Sequence, residues 1–243
     1  MMTDKTLESI SLWYKYKTAV WLKESAETTV VHNIMRVLRA IHGSSDLAYA
    51  SIPVTSGRFL YELKQRKPLV LANIQIEEAI KHNYSFGWKF VEDIRARRTC
   101  PVIFPADLIP VHQKWEQVHF QSLWLSIIAE KCTEVHMAHG WEYSNGASEE
   151  FTHVMQLKLG LPKHDNLVFW NTKGLWEVEC ERMRNILVYD DTGRVLSLSR
   201  GCKLIEKSLA WIKKNNFSAP VIKNCLDLLR LTENMLTQNF YQQ

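Results

Sequence analysis

Hydrophobic and polar positions alternate along this chain in two rhythms, and the order of those rhythms predicts the architecture. Over the first 45 residues, Leu7, Ile10, Trp13 and Tyr14, then Val20 and Trp21, recur at helical spacing. Val30, Ile34, Val37, Leu38 and Ile41 repeat the pattern before His42-Gly43, so this stretch reads as helices. A short apolar run, Leu47-Ala48-Tyr49-Ala50-Ser51-Ile52-Pro53, then reads as a first strand, followed by the loop Val54-Thr55-Ser56-Gly57-Arg58. A long helical pattern spans 71–97, a second strand 100–105 and a further helix 113–131. The run at 134–138 reads as a buried third strand, the pattern at 146–159 as a helix, and 167–170 as another apolar strand. Strands that alternate with helices at this spacing predict βαβ units and a parallel sheet.

Beyond residue 175 the rhythm changes. Asp190-Asp191-Thr192-Gly193 lies between two apolar runs, 186–189 and 195–198, which reads as a β-hairpin. Helices follow at 204–214 and 219–238, with Phe217-Ser218-Ala219-Pro220 supplying a cap and an N-terminal proline. The prediction is therefore an α/β, Rossmann-like parallel sheet of about four or five strands with helices on both faces. Three segments are expected: an N-terminal helical appendage (1–45), the α/β domain (46–172) and a hairpin with C-terminal helices (173–243).

Candidate chemistry concentrates after the third strand, in His139-Gly140-Trp141-Glu142-Tyr143-Ser144-Asn145-Gly146-Ala147-Ser148-Glu149-Glu150. Small polar residues and a glycine stand where a strand turns into a helix, so backbone N–H groups are free to face an anion. Ser144, Asn145 and Gly146 can offer hydroxyl, amide and backbone donors, or Ser144 or Ser148 can cap the helix. Trp141 can stack on a base or serve as a lid or core residue. Glu149 and Glu150 lie in the first helical turn, where acids also simply favour the positive end of the dipole. In open α/β sheets ligands bind at the carboxyl ends of strands, which puts the Ser56 and Ser144 loops on one crevice. Ser56, Gly57 and Arg58 can hold a second anionic group there, or form a plain turn.

Composition narrows the picture. A chain of 243 residues that is 46% hydrophobic, with nine glycines and seven prolines, belongs to an ordered globular protein. Its net charge of +4 is too mild to mark a nucleic-acid binder. The five cysteines are odd in number and show no CxxC spacing, against a zinc site or disulfide framework. His136, His139 and His153 lack an acidic ligand pair at metal spacing. The N-terminus lacks the plan of a signal peptide and no run approaches membrane-spanning length, so a cytoplasmic protein is expected.

The stretch 47–162 resembles the nucleoside 2-deoxyribosyltransferase-like superfamily, in particular a bacterial and phage branch with the signature Gly-Trp-Glu-x-Ser-x-Gly-Ala-x-x-Glu. Gly140, Trp141, Glu142, Ser144, Gly146, Ala147 and Glu150 fill every named position. Residues 52–58 look like the family's first strand and substrate loop, and 100–105 fits its second strand. The resemblance implies cleavage or transfer of the N-glycosidic bond of a nucleoside or nucleoside 5′-monophosphate, without cofactor or metal. It makes Glu150 the nucleophile, Ser144 a phosphate contact and a homo-oligomer the expected assembly. Characterised members also carry an aspartate in the helix before the third strand and another at that strand's start. Here those regions read Gln121-Ser122-Leu123-Trp124-Leu125 and Cys132-Thr133. Two other functions fit the same crevice: a non-catalytic module that binds a nucleotide or a protein, and an enzyme that cleaves the nicotinamide bond of NAD.

Overall fold

The computed structural model describes residues 33–38, 40, 46–107, 117–158 and 185–240. The helices expected before residue 33 and the strand expected at 167–170 lie outside them.

Among the described residues the main elements are β1 (Leu47–Ser51), α1 (Arg58–Arg66), α2 (Ala72–Arg97), β2 (Val102–Ile103), α3 (Gln117–Lys131), β3 (Cys132–Met137), α4 (Asn145–Lys158), β4 (Leu187–Tyr189), α5 (Leu198–Lys214) and α6 (Pro220–Phe240). The strands form one sheet in the order β2-β1-β3-β4, and every pairing is parallel. The α/β, Rossmann-like prediction holds. β3 has parallel neighbours on both sides, as its apolar run required.

Alternation along β1 divides the core in two. Ala48 and Ala50 face α2, and their small side chains admit Phe90, Val91 and Ile94 close to the sheet. Leu47 and Tyr49 face the opposite side, which is covered by residues of α3, α4, α5 and α6. A bulge at the start of the β1–β3 ladder pairs Leu47 with Cys132 but Ala48 with Glu134. The extra residue, Thr133, lets Cys132 and Val135 point into the same core despite their odd separation. Met35, from the stretch predicted to be an appendage, is 3% exposed and belongs to this core as well.

The C-terminal part departs from its expected layout. The first arm of the predicted hairpin is β4, which pairs with β3 as the fourth strand of the sheet. The second arm makes a single antiparallel bridge, between Tyr189 and Val195. Asp190 governs this turn: its Oδ1 accepts from the Thr192 and Arg194 N–H groups and from the Thr192 hydroxyl. The chain then enters α5 at Leu198, six residues before the predicted start, because the Ser197 hydroxyl caps the helix by accepting from the Arg200 N–H. Helix α1 was not predicted. It is short, with only Leu60 and Leu63 buried, and its apolar face is legible only once α2 is placed beside it.

α5 crosses α4 at Gly201. A Cβ at that position would lie 2.1 Å from Cζ of Phe151 on α4, a fully buried side chain with no room to retreat. Gly201→Ala should therefore cost about 1–3 kcal/mol of stability through overpacking. A chemical denaturation midpoint equal to that of the wild type would show that the α4–α5 contact yields.

Candidate functional site

In the strand order β2-β1-β3-β4, the connection after β1 leads to one side of the sheet and the strand after β2 returns on the other. The gap beyond the ends of β1 and β3 is therefore a topological switch point, where α/β sheets open a crevice. Two loops enter it. Ala138 N–H donates to the Ser51 carbonyl at 3.0 Å, and the Ser56 and Ser144 hydroxyls meet at 3.0 Å. The expectation that both loops share one edge is met.

Each loop is locally constrained. Asn83 of α2 reaches up to donate to the carbonyls of Val54 and Ser56, at 3.0 and 2.9 Å. Gly57 has φ of 102°, and a Cβ there would lie 2.8 Å from Pro53 Cβ. This glycine shapes the loop through its backbone. In the second loop, residues 141–143 form a 3-10 turn and Ser144 is extended. The Ser144 carbonyl accepts from Ser148 N–H, and its hydroxyl accepts from Ala147 N–H at 3.4 Å. Ser144 thus caps α4, while the N–H groups of Asn145 and Gly146 precede the first intrahelical acceptor.

A cleft of about 640 Å³ opens at this point. Ser56, Asn145, Gly146 and Glu149 stand on its polar side, with Gln117 and Gln121 of α3. Leu60, Tyr61 and Lys64 of α1 also line it, together with Phe217 of the α5–α6 turn and Val221 of α6.

Glu150 lies one helical turn beyond Gly146 and is 5% exposed. Its carboxyl is held from the central strand: Tyr49 Oη donates to Oε1 at 2.8 Å and Ser51 Oγ to Oε2 at 2.5 Å. Tyr49 and Ser51 are two residues apart and so share one face of β1. Burial pushes the Glu150 pKa up to about 7, against the opposing effect of the two hydrogen bonds, and the Glu149 charge adds to the rise. Burial together with the Glu150 charge also raises Tyr49 well above the ordinary phenol range, so it remains a donor at neutral pH.

The predicted residues divide sharply. Ser56, Asn145 and Gly146 line the cleft, Ser144 is bonded to Ser56 beside it, and Glu150 lies behind it. Trp141 is not a stacking surface: it is 2% exposed and packs on Phe151 with ring centroids 4.6 Å apart. Arg58 does not line the cleft either. Its Nε donates to Glu62 at 2.9 Å, and its guanidinium lies 5.8 Å from the ring centres of Tyr143 and Trp211. An ion pair four residues along the helix and two aromatic faces hold it away. Among the described residues that line the cleft, the cation is Lys64. Glu149, which reads as a plain surface acid, stands on the rim.

Sequence reasoning missed Tyr49, Ser51, Gln121, Lys64, Tyr61 and Phe217. Strand alternation was the one available signal for the first two. His136 Nε2 pairs with Glu134 at 2.9 Å and His139 Nδ1 with Asp191 at 3.0 Å, both away from the cleft lining. Among the described residues no three His, Cys, Asp or Glu side chains gather as a metal ion requires. No helix among them is long and apolar enough to cross a membrane. No family model, curated protein or solved structure matches the chain.

The buried carboxyl has a measurable consequence. Glu150 titrates near pH 7 in the folded chain against an ordinary 4.5, so the native state binds its proton more tightly than the unfolded state. Its stabilising contribution is complete below about pH 4.5 and disappears as pH rises through about 7. The stability of the wild type relative to Glu150→Gln should accordingly fall by on the order of 3 kcal/mol across that window. Urea unfolding of both proteins at several pH values tests this, and parallel curves would refute the elevated pKa.

Proposed function

We propose that the protein is an N-glycoside hydrolase or transferase acting on a nucleotide, with a nucleoside 5′-monophosphate as the favoured substrate. The observation that carries this reading is the buried Glu150 carboxyl, fixed by Tyr49 and Ser51 one turn behind a cleft at the switch point. Cleavage of an N-glycosidic bond passes through an oxocarbenium-like state, which a nearby carboxylate stabilises or attacks. The base departs with the bonding electron pair, and water or an acceptor hydroxyl then takes its place on the sugar. The two donors from β1 fix the orientation of the carboxylate, and its pKa near 7 supplies an ionised fraction at neutral pH. The resemblance of residues 140–150 to the deoxyribosyltransferase-like signature supports the same assignment.

The phosphate role predicted for Arg58 passes to Lys64, which lines the cleft together with Ser56 and the start of α4. A dianionic phosphate gains more from this group than a neutral hydroxyl does.

Full burial of Glu150, with both oxygens engaged, favours a second reading. In it the carboxyl only ties α4 to β1, and the cleft binds a nucleotide without chemistry.

Product analysis on nucleoside monophosphates, nucleosides and NAD separates the two. Under the catalytic reading Glu150→Gln keeps nucleotide affinity and loses at least about a hundredfold in turnover, since only the developing positive charge needs the carboxylate. The wild-type rate should rise with pH through about 7 as Glu150 ionises. Tight nucleotide binding without turnover by the wild type establishes the second reading.

Lys64→Ala should weaken a 5′-monophosphate about tenfold or more while leaving the nucleoside nearly unchanged, and Arg58→Ala should leave the binding of both nearly unchanged. Calorimetric titration of both ligands reads this out, and an intact phosphate preference in Lys64→Ala would remove the assignment.

A further inference from the structure

One polar side chain of the cleft is buried, faces the cavity and plays no part in the chemistry above. Gln121 of α3 is 5% exposed, yet it lines the cleft. Its Nε2 points to the Gly146 carbonyl at 3.4 Å. A carbonyl can only accept, so the amide nitrogen turns towards Gly146 and the two ends of the amide are distinguished. Among the described residues Oε1 has no hydrogen-bond donor. It lies 3.3 Å from where a Cβ on Gly146 would stand, so the glycine keeps this side of the cleft open to it.

Tyr61 and Phe217, with ring centroids 5.2 Å apart, line the same cleft. Together with Leu60 and Val221 they make an apolar wall suited to a flat ring. An oriented acceptor and aromatic rings therefore line one cavity.

We propose that Gln121 makes the cleft selective for a heteroaromatic base bearing an exocyclic amino group, the class of adenine and cytosine, over bases with an oxo group at that position. This rests on the nucleotide reading given above. An amino group donates to Gln121 Oε1, whereas an oxo group sets two acceptors against each other and leaves both unpaired in a partly desolvated site. Glu149 on the rim also accepts, and Lys64, the donor that an oxo group would seek, is assigned to the phosphate.

The test compares adenosine 5′-monophosphate with inosine 5′-monophosphate, which carry amino and oxo groups on the same purine, and adds ribose 5-phosphate as a probe without a base. Calorimetry on the wild type should show roughly tenfold tighter binding of the amino form. Gln121→Met keeps the length of the side chain and removes the acceptor. It should bring the two nucleotides to within about twofold by weakening the amino form, with ribose 5-phosphate unchanged. Equal affinities in the wild type overturn the assignment whether or not the variant folds. A preference that survives in Gln121→Met also overturns it and assigns discrimination to Glu149. If neither nucleotide nor ribose 5-phosphate binds, the nucleotide reading fails and this one with it. Selective binding without turnover supports the role of Gln121 while removing the catalytic one.

Discussion

The contact between Glu150 and the central strand is the constraint on which the crevice depends. A carboxyl removed from water has a strong demand for donors, and β1 provides two on one face, Tyr49 and Ser51. Meeting that demand fixes the rotation of α4 about its axis. With Glu150 turned to the sheet, Gly146 and Glu149 turn to the cleft and Ala147, Phe151 and Val154 turn into the core. The catalytic candidate is thus also a structural tie, and burial raises its pKa while the same hydrogen bonds draw it down.

The two loops at the switch point are held from three directions. Asn83 secures the first from the α2 side, Ser144 caps α4 in the second, and the Ser56–Ser144 contact joins them. Ser208 of α5 adds a fourth restraint by donating to the Glu142 carbonyl at 2.8 Å. Under the glycosidase reading proposed above, a developing charge would meet groups that need not reorganise, because these restraints hold the loops rigid.

Much of the architecture was legible in the chain because parallel strands buried on both faces read as short apolar runs between helical patterns. The strand-to-helix loop at 138–146 was legible for the same reason, with Gly140 at φ of 77° where the turn requires it. What escaped depended on partners distant in sequence. Trp141 reads equally as a stacking surface or a core residue until Phe151 folds against it, and Arg58 as an anion ligand or part of a plain turn until Glu62, Tyr143 and Trp211 surround it. Gln121 is an unremarkable polar residue in a helix of mostly apolar neighbours, and only its packing beside Gly146 directs it at the cleft. Side-chain direction at such positions is a tertiary property, which local pattern does not encode.

The far wall of the cleft comes from the turn between α5 and α6, where Phe217 stands more than sixty residues beyond Glu150. Gln65 of α1 donates to Asn215 at 2.6 Å and latches that turn to the first ligand loop's helix. On a ribosome the loops after β1 and β3 are made well before this wall exists. A nascent chain that has completed α4 already holds Glu150, Tyr49 and Ser51 but lacks the part of the cleft lining that Phe217, Ser218 and Val221 supply. The cleft is therefore complete only once the α5–α6 turn and the start of α6 have been synthesised and have docked.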